Sequence, residues 1–400
     1  MRTLCSRPFA VASLAIGALT LSALQTQGAD DFTQTNLVSN IPALKAKITD
    51  PQLVNPWGVS HSPTSPFWTS NQVKNTATLY AVTDKTHVTK VNINPPAGFV
   101  VIPCAAPAVP CTTASGPQGP TGQVNNTNTS SFPVSGVGAD GKFAHFIFAN
   151  LNGTISAWDT GTTAFVQNTG ATGTVYTGLA INRAQTRLYA ANTSLGRIDV
   201  FDSNFHAFSL GPDAFVDPSL PTGLVPFNVR QIDGNVYVLY APAGRPAQQM
   251  APLGAGAVAV FDEDGNFIRE LVSGSRLAAP WGITFAPPSF RRFSNHLLVG
   301  NFSFLHSEIN AFNPTNGKLH GTIPIKTGGQ GAGGLWTIDF GVGGNNGSPD
   351  VLYFSDGING EADGLFGAIA GGRRAERPRA SSIAAPTRRG ISSARAGAII

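Results

Sequence analysis

YTGLAINRAQTRLYAANTSLGRIDVFD, residues 176–202, reads as three short strands in succession. Each is built from β-branched, aromatic and small residues and ends at Asn, Asp or Gly, the residues that make turns. TGLAIN opens after a turn, RLYAAN ends on a small polar step, and RIDVFD closes on Phe-Asp; the stretch around AFSLGP (207–212) reads as a fourth strand. The opening motif returns as NPWGVS (55–60), GPTGQV (119–124), LPTGLV (220–225), APWGITF (279–285) and GGLWTIDF (333–340). The hairpin behind it returns as FWTSNQVKNTATLYAV (67–82), HFIFANLNGTISAWD (145–159), HLLVGNFSFLHSEINAFN (296–313) and VLYFSDGINGEADGLFGAI (351–369). A further copy, NVYVLYAP followed by GAGAVAVFDEDG (235–265), carries a longer insertion.

Six copies at a spacing of about 56 residues, with four strand-like pieces to a complete unit, predict an all-β chain folded as a six-bladed β-propeller. The period exceeds that of WD repeats, and their Gly-His and Trp-Asp signature is missing. The sixth copy stops after three strands, whereas FTQTNLVSN (32–40) is strand-like and precedes the first blade. Pairing this segment with the last blade would close the ring and cover an exposed edge.

The Gly-apolar strand, the LYAAN step and the GRIDVFD strand resemble NHL-type repeats. With NPWGVS, PFWTSN and EADGLFG, the pattern over residues 32–370 is similar to a group of exported bacterial propellers without an assigned activity. The resemblance implies the fold and an extracytoplasmic setting, and carries no chemistry over, since one fold hosts many functions.

The flanks read differently. Residues 1–29 have two early arginines, an apolar run from Phe9 to Leu24 and a polar end, the pattern of a secretory signal peptide, so a secreted or periplasmic protein is expected. Residues 371–400 hold seven arginines and one glutamate without strand or helix period, and read as a disordered tail. Cys104 and Cys111, seven positions apart in an exported chain, are expected to form a disulfide.

Charged residues are only 12% of the chain, while Gly and Pro number 45 and 29, which suits many turns and excludes a long-helix protein. The net charge of +4 comes from the ends. Of 26 Lys and Arg and 22 Asp and Glu, two arginines precede residue 30, and seven arginines and one glutamate follow residue 370. The body therefore carries 17 basic against 21 acidic residues, which removes a nucleic-acid partner from consideration. No stretch after the leader is long and apolar enough to span a membrane; a monomer is expected.

The ends of the second strands should converge on one mouth of the channel. Those positions are Asn71, Asn150, Asn192, Ala241, Asn301 and Asp356. Each Asn can cap its own loop; together they could instead present a ring of oxygens to a hard cation such as Ca²⁺. Asp356, Glu361 and Asp363 in DGINGEADG are the candidate metal carboxylates, although the loop lacks EF-hand order. Trp57, Trp281 and Trp336 recur beside the opening motif, either as packing wedges or as stacking platforms for a ligand. No metal-protease His pair, nucleophile elbow or phosphate loop is present, so no catalytic residue is assigned. The favoured expectation is a non-catalytic binding module for a protein, peptide or glycan. The alternative is a Ca²⁺-dependent hydrolase or lactonase-like enzyme, which needs an acidic inner ring.

Overall fold

The computed structural model describes residues 32–103, 118–136 and 138–371. The leader, the tail and both cysteines of the expected disulfide lie outside the described residues.

Six antiparallel sheets follow one another along the chain. Blade 1 comprises β3 (Pro56–Ser60), β4 (Phe67–Asn71), β5 (Thr76–Thr83) and β6 (His87–Lys90), with β7 (Val100–Val101) also on β5. Blade 2 holds β8 (Pro120–Asn125), β9 (Phe146–Asn150), β10 (Thr154–Trp158) and β11 (Phe165–Thr169). Blade 3 holds β12 (Tyr176–Ile181), β13 (Leu188–Asn192) and β14 (Arg197–Phe201). Blade 4 comprises β15 (Leu224–Ile232), β16 (Asn235–Pro242), β17 (Ala257–Asp262) and β18 (Phe267–Ser273). Blade 5 comprises β19 (Pro280–Phe285), β20 (Leu297–Asn301), β21 (Glu308–Phe312) and β22 (Leu319–Pro324). Blade 6 holds β23 (Gly334–Phe340), β24 (Val351–Gly357) and β25 (Leu365–Gly371).

The ring closes as its loose ends demand. The first strand, β1 (Phe32–Ser39), pairs antiparallel with β25 from Phe32↔Gly371 to Ser39↔Leu365, and β2 (Ile48–Thr49) then joins it in parallel. Leu37 and Val38 are wholly buried in the cluster that holds blades 1 and 6 together.

Two details correct the sequence reading. In blade 3 the stretch around AFSLGP does not form a fourth strand. It makes one bridge, Phe201↔Ala207, and one further bond from Phe208 N–H to Val200 O, before Gly211 at φ 109° and Pro212 turn the chain away. A proline has no N–H to continue the ladder. In blade 4 the opening motif is not LPTGLV but the VPFNVR that follows it.

The second correction comes from a feature shared by all six inner strands. Each shifts register against its neighbour at one place: Pro56/Val59, Pro120/Gln123, Tyr176/Gly178, Pro226/Asn228, Pro280/Gly282 and Leu335/Ile338. A bulge re-aims the side chain within it. The residues so placed are Trp57, Thr121, Thr177, Phe227, Trp281 and Trp336. The next residue is glycine in four blades because the strands crowd there. A Cβ on Gly282 would lie 2.4 Å from Trp336 O, and one on Gly58 2.5 Å from Thr121 O. Side chains lock this waist between blades: Asn228 Nδ2 donates to Trp281 O (2.6 Å), and Thr337 Oγ1 to Trp57 O (2.9 Å).

Candidate functional site

Aromatic rings from four blades meet on the channel axis. Trp57 and Trp336 stack with centroids 3.5 Å apart, and Trp281 stands edge-on to both at 6.2 and 5.5 Å. Phe227 reaches Trp336 at 6.1 Å, and Phe302, from the loop after β20, stacks on it at 4.3 Å. All are buried. The tryptophans thus pack between blades, as the wedge reading has it, and form a plug between the two mouths of the channel rather than open platforms.

The lower mouth, at the far ends of the inner strands, is a cavity of about 500 Å³ that includes Gln123, His61 and the Arg230–Asp339 ion pair. The upper mouth, where the inner strands begin, is larger, about 750 Å³. Its shape follows from unequal loops between second and third strands. In blades 1–3 these are short (72–75, 151–153 and 193–196), and in blades 4–6 they are long (243–256, 302–307 and 358–364). The long loops reach across the plug. The blade 4 loop contains a short helix, α1 (Arg245–Gln249), and docks on the blade 5 loop through Phe304 N–H to Gln249 O (2.8 Å) and Ser303 Oγ to Ala251 O (2.7 Å).

This docking lays the Arg245 guanidinium over three rings: Phe302 at 4.5 Å, Trp57 at 4.9 Å and Trp336 at 5.2 Å. Such contacts are worth about 0.5–2 kcal/mol each where water is excluded. Burial lowers the Arg245 pKa, against the opposing pull of Glu361, with which it forms an ion pair. Glu361 also accepts Asn55 Nδ2 (3.0 Å) and Gln249 Nε2 (2.9 Å), so its carboxylate is saturated with donors.

The asparagines expected at the mouth do end their second strands at matched positions, but each is buried and bonded within its own blade. Asn71 donates to Thr78 Oγ1 (3.0 Å) and Asn150 to Ser156 Oγ (3.1 Å). Asn192 donates to Asp199 Oδ2 (2.8 Å), while Asn301 accepts Ala278 N–H (3.0 Å) and donates to Arg276 O (2.8 Å). Each side chain ties one loop down, as a cap does.

The three acidic candidates also separate. Asp363 accepts Asn40 Nδ2 (2.6 Å) and Asn359 Nδ2 (2.9 Å), and Glu361 belongs to the Arg245 network. Asp356 is fully buried, paired across the sheet with Leu335 and Leu365, and neither oxygen has a donor in the protein. Burial alone pushes its pKa up to about 7. Among the described residues no three His, Cys, Asp or Glu side chains gather as metal ligands. No helix among them is long and apolar enough to cross a membrane.

Sequence reasoning did not single out Asn55, Gln72, Arg245 or Gln248, all of which line the upper mouth. Two signals pointed there: blade 4 alone has an alanine where the others have Asn or Asp, and it carries the longest insertion.

No protein-family model matches the chain. An uncharacterised protein of Acanthamoeba polyphaga mimivirus is 28% identical over 346 residues, spanning 83% of this chain and 78% of its own length. A second protein of the same virus is 32% identical over 202 residues, spanning 49% and 51%. These relatives are viral, where the sequence resemblance pointed to bacterial proteins. Among solved structures, a streptogramin B lyase aligns with a TM-score of 0.50 at 11% identity, covering 85% of this chain and 98% of the lyase. At that identity the likeness shows the fold alone.

Proposed function

We propose that this propeller is an exported binding module whose ligand, a segment of protein, peptide or glycan, seats in the upper mouth. The observation that carries the reading is the cavity of about 750 Å³ above the tryptophan plug, walled by loops from every blade except the fifth. It is concave, with Trp57 at its base and a mostly polar lining that offers a ligand many hydrogen-bonding groups. The competing hydrolase reading needs clustered acidic ligands; of the three candidate carboxylates, Glu361 and Asp363 take separate partners and Asp356 is buried within its sheet without a donor.

A substitution that fills the mouth tests the proposal. Thr193→Trp places a large ring in the cavity from the short blade 3 loop. Ligands selected on the wild-type protein from peptide and glycan collections should lose binding to this variant while its melting temperature holds. Ligands that bind both proteins equally would place the function elsewhere. Export is tested separately: protein recovered outside the cytoplasm of an expressing bacterium should begin between about Leu24 and Asp30, and an intact leader would contradict it.

A further inference from the structure

We infer that the upper mouth is built to take an uncharged carbonyl group, as in an ester or a disubstituted amide. The inference rests on the reading of that mouth as the ligand site, and it comes from the donors left over there.

Three side chains that line the mouth hold buried N–H groups with no acceptor in the protein: Trp57 Nε1, Gln72 Nε2 and Arg245 Nη1. Trp57 is fully buried and Gln72 is 2% exposed. A buried donor left unpaired costs about 1–3 kcal/mol, so an acceptor that reaches any one of them gains on that order.

The orientation of the amides follows from their neighbours. An indole can only donate, so the contact of Trp336 Nε1 with Asn55 (2.9 Å) fixes Oδ1 of Asn55 at that end. Asn55 Nδ2 then faces Glu361 Oε1 at 3.0 Å and Gln72 at 2.9 Å. Gln72 must present its oxygen to that donor, which leaves its NH₂ unpaired.

Among the described residues, the one carboxylate of the mouth is already engaged. Both Glu361 oxygens hold donors, and the Ser194 hydroxyl donates to Gly173 O. The wholly buried polar atoms of the mouth that lack a partner are therefore all donors. Charge narrows the ligand further. Arg245 and Glu361 cancel, so a ligand carboxylate would sit beside Glu361 without a cation of its own, and an ammonium would add to Arg245. Burying an unpaired charge is far more costly than burying a neutral acceptor. A carbonyl oxygen offers two lone pairs and no charge, and an ester or disubstituted amide adds no donor to a place already full of them.

The test uses one skeleton with four ends: methyl 3-phenylpropionate, its N,N-dimethyl amide counterpart, the 3-phenylpropionate anion and 3-phenylpropanol. Each is titrated into the wild-type protein by calorimetry and by tryptophan fluorescence. The ester and the amide should bind at least about tenfold more tightly than the anion and the alcohol. Gln72→Glu keeps an oxygen for Asn55 and removes the spare NH₂; it should weaken the ester by about tenfold, and Trp57→Phe should weaken it by a smaller factor. Each variant is first checked for a wild-type-like cooperative melt, and the ranking of probes on the wild-type protein stands without them. Equal affinity for all four probes, or none for the ester, would overturn the carbonyl inference. If Thr193→Trp left the binding of every probe intact, the mouth itself would be the wrong site.

Discussion

Blades 2 and 3 and blades 4 to 6 solve the same packing problem in different ways. In blades 2 and 3 the bulged inner residues are Thr121 and Thr177, the hairpin loops have three or four residues, and Asn150 and Asn192 tie those loops down. In blades 4 to 6 the bulged residues are Phe227, Trp281 and Trp336, and the longer loops fold over them. Small side chains and short loops leave space; large rings and long loops supply the floor and the charged pair beside it. A ring of equal blades would have had a symmetric channel. Inequality between its halves makes a lopsided mouth with Arg245 and Glu361 on one side and open room on the other.

Before the halves can differ they must be held in one ring. Removing residues 30–40 takes away β1, with Leu37 and Val38 buried, and bares β25. Circular dichroism should then show loss of the cooperative melt for the entire ring. A truncation that melted like the full protein would show that the blades do not depend on closure.

The plug gives the next largest contrast. Trp336→Ala removes a fully buried ring that touches Trp57, Trp281, Phe227 and Phe302, and should cost about 3–5 kcal/mol in chemical denaturation. Thr177→Ala at the equivalent position of blade 3 should cost about 1 kcal/mol. Equal losses would mean that the two halves carry the waist alike.

The ends of the second strands compare the halves again. Asp356 in blade 6 stands where blades 1, 2, 3 and 5 have an amide. Its pKa is raised to about 7 in the fold from an ordinary 3.8, because burial disfavours its charged form. The folded state thus holds its proton more tightly than the unfolded chain. Stability from this group is full below about pH 4, falls as pH rises to about 7, and stays low above. Asp356→Asn should flatten that decline and raise stability at pH 8 by roughly 4 kcal/mol, read from urea melts between pH 4 and 8. An unchanged pH profile would show that Asp356 has a donor after all. Asn150→Ala, which loses only a cap, should cost about 1–2 kcal/mol at any of these pH values.

The repeat, the number of blades and the closing strand were legible because each is written in local patterns: Gly or Pro before an apolar strand, Asn after the next, and a three-stranded last copy matched by a stray first strand. The register was less so. LPTGLV looked like the blade 4 opening because it has the right residues, yet the bulge falls at Phe227, five residues past the position that Gly223 seemed to mark. The asparagines were found, but whether they faced the channel or their own hairpins depended on hydroxyl partners such as Thr78 and Ser156 one strand away. Arg245 was the least legible. Its place is set by an insertion docking on a neighbouring blade, a long-range contact for which no local pattern exists.

The blade 4 loop makes the upper mouth what it is. Replacing residues 243–256 with the four-residue blade 1 loop QVKN removes Arg245 and Gln248 while leaving every strand in place. Affinity for methyl 3-phenylpropionate, measured by calorimetry on a variant that still melts cooperatively, should fall at least tenfold. Unchanged affinity in that variant would contradict the assignment of the upper mouth as the ligand site.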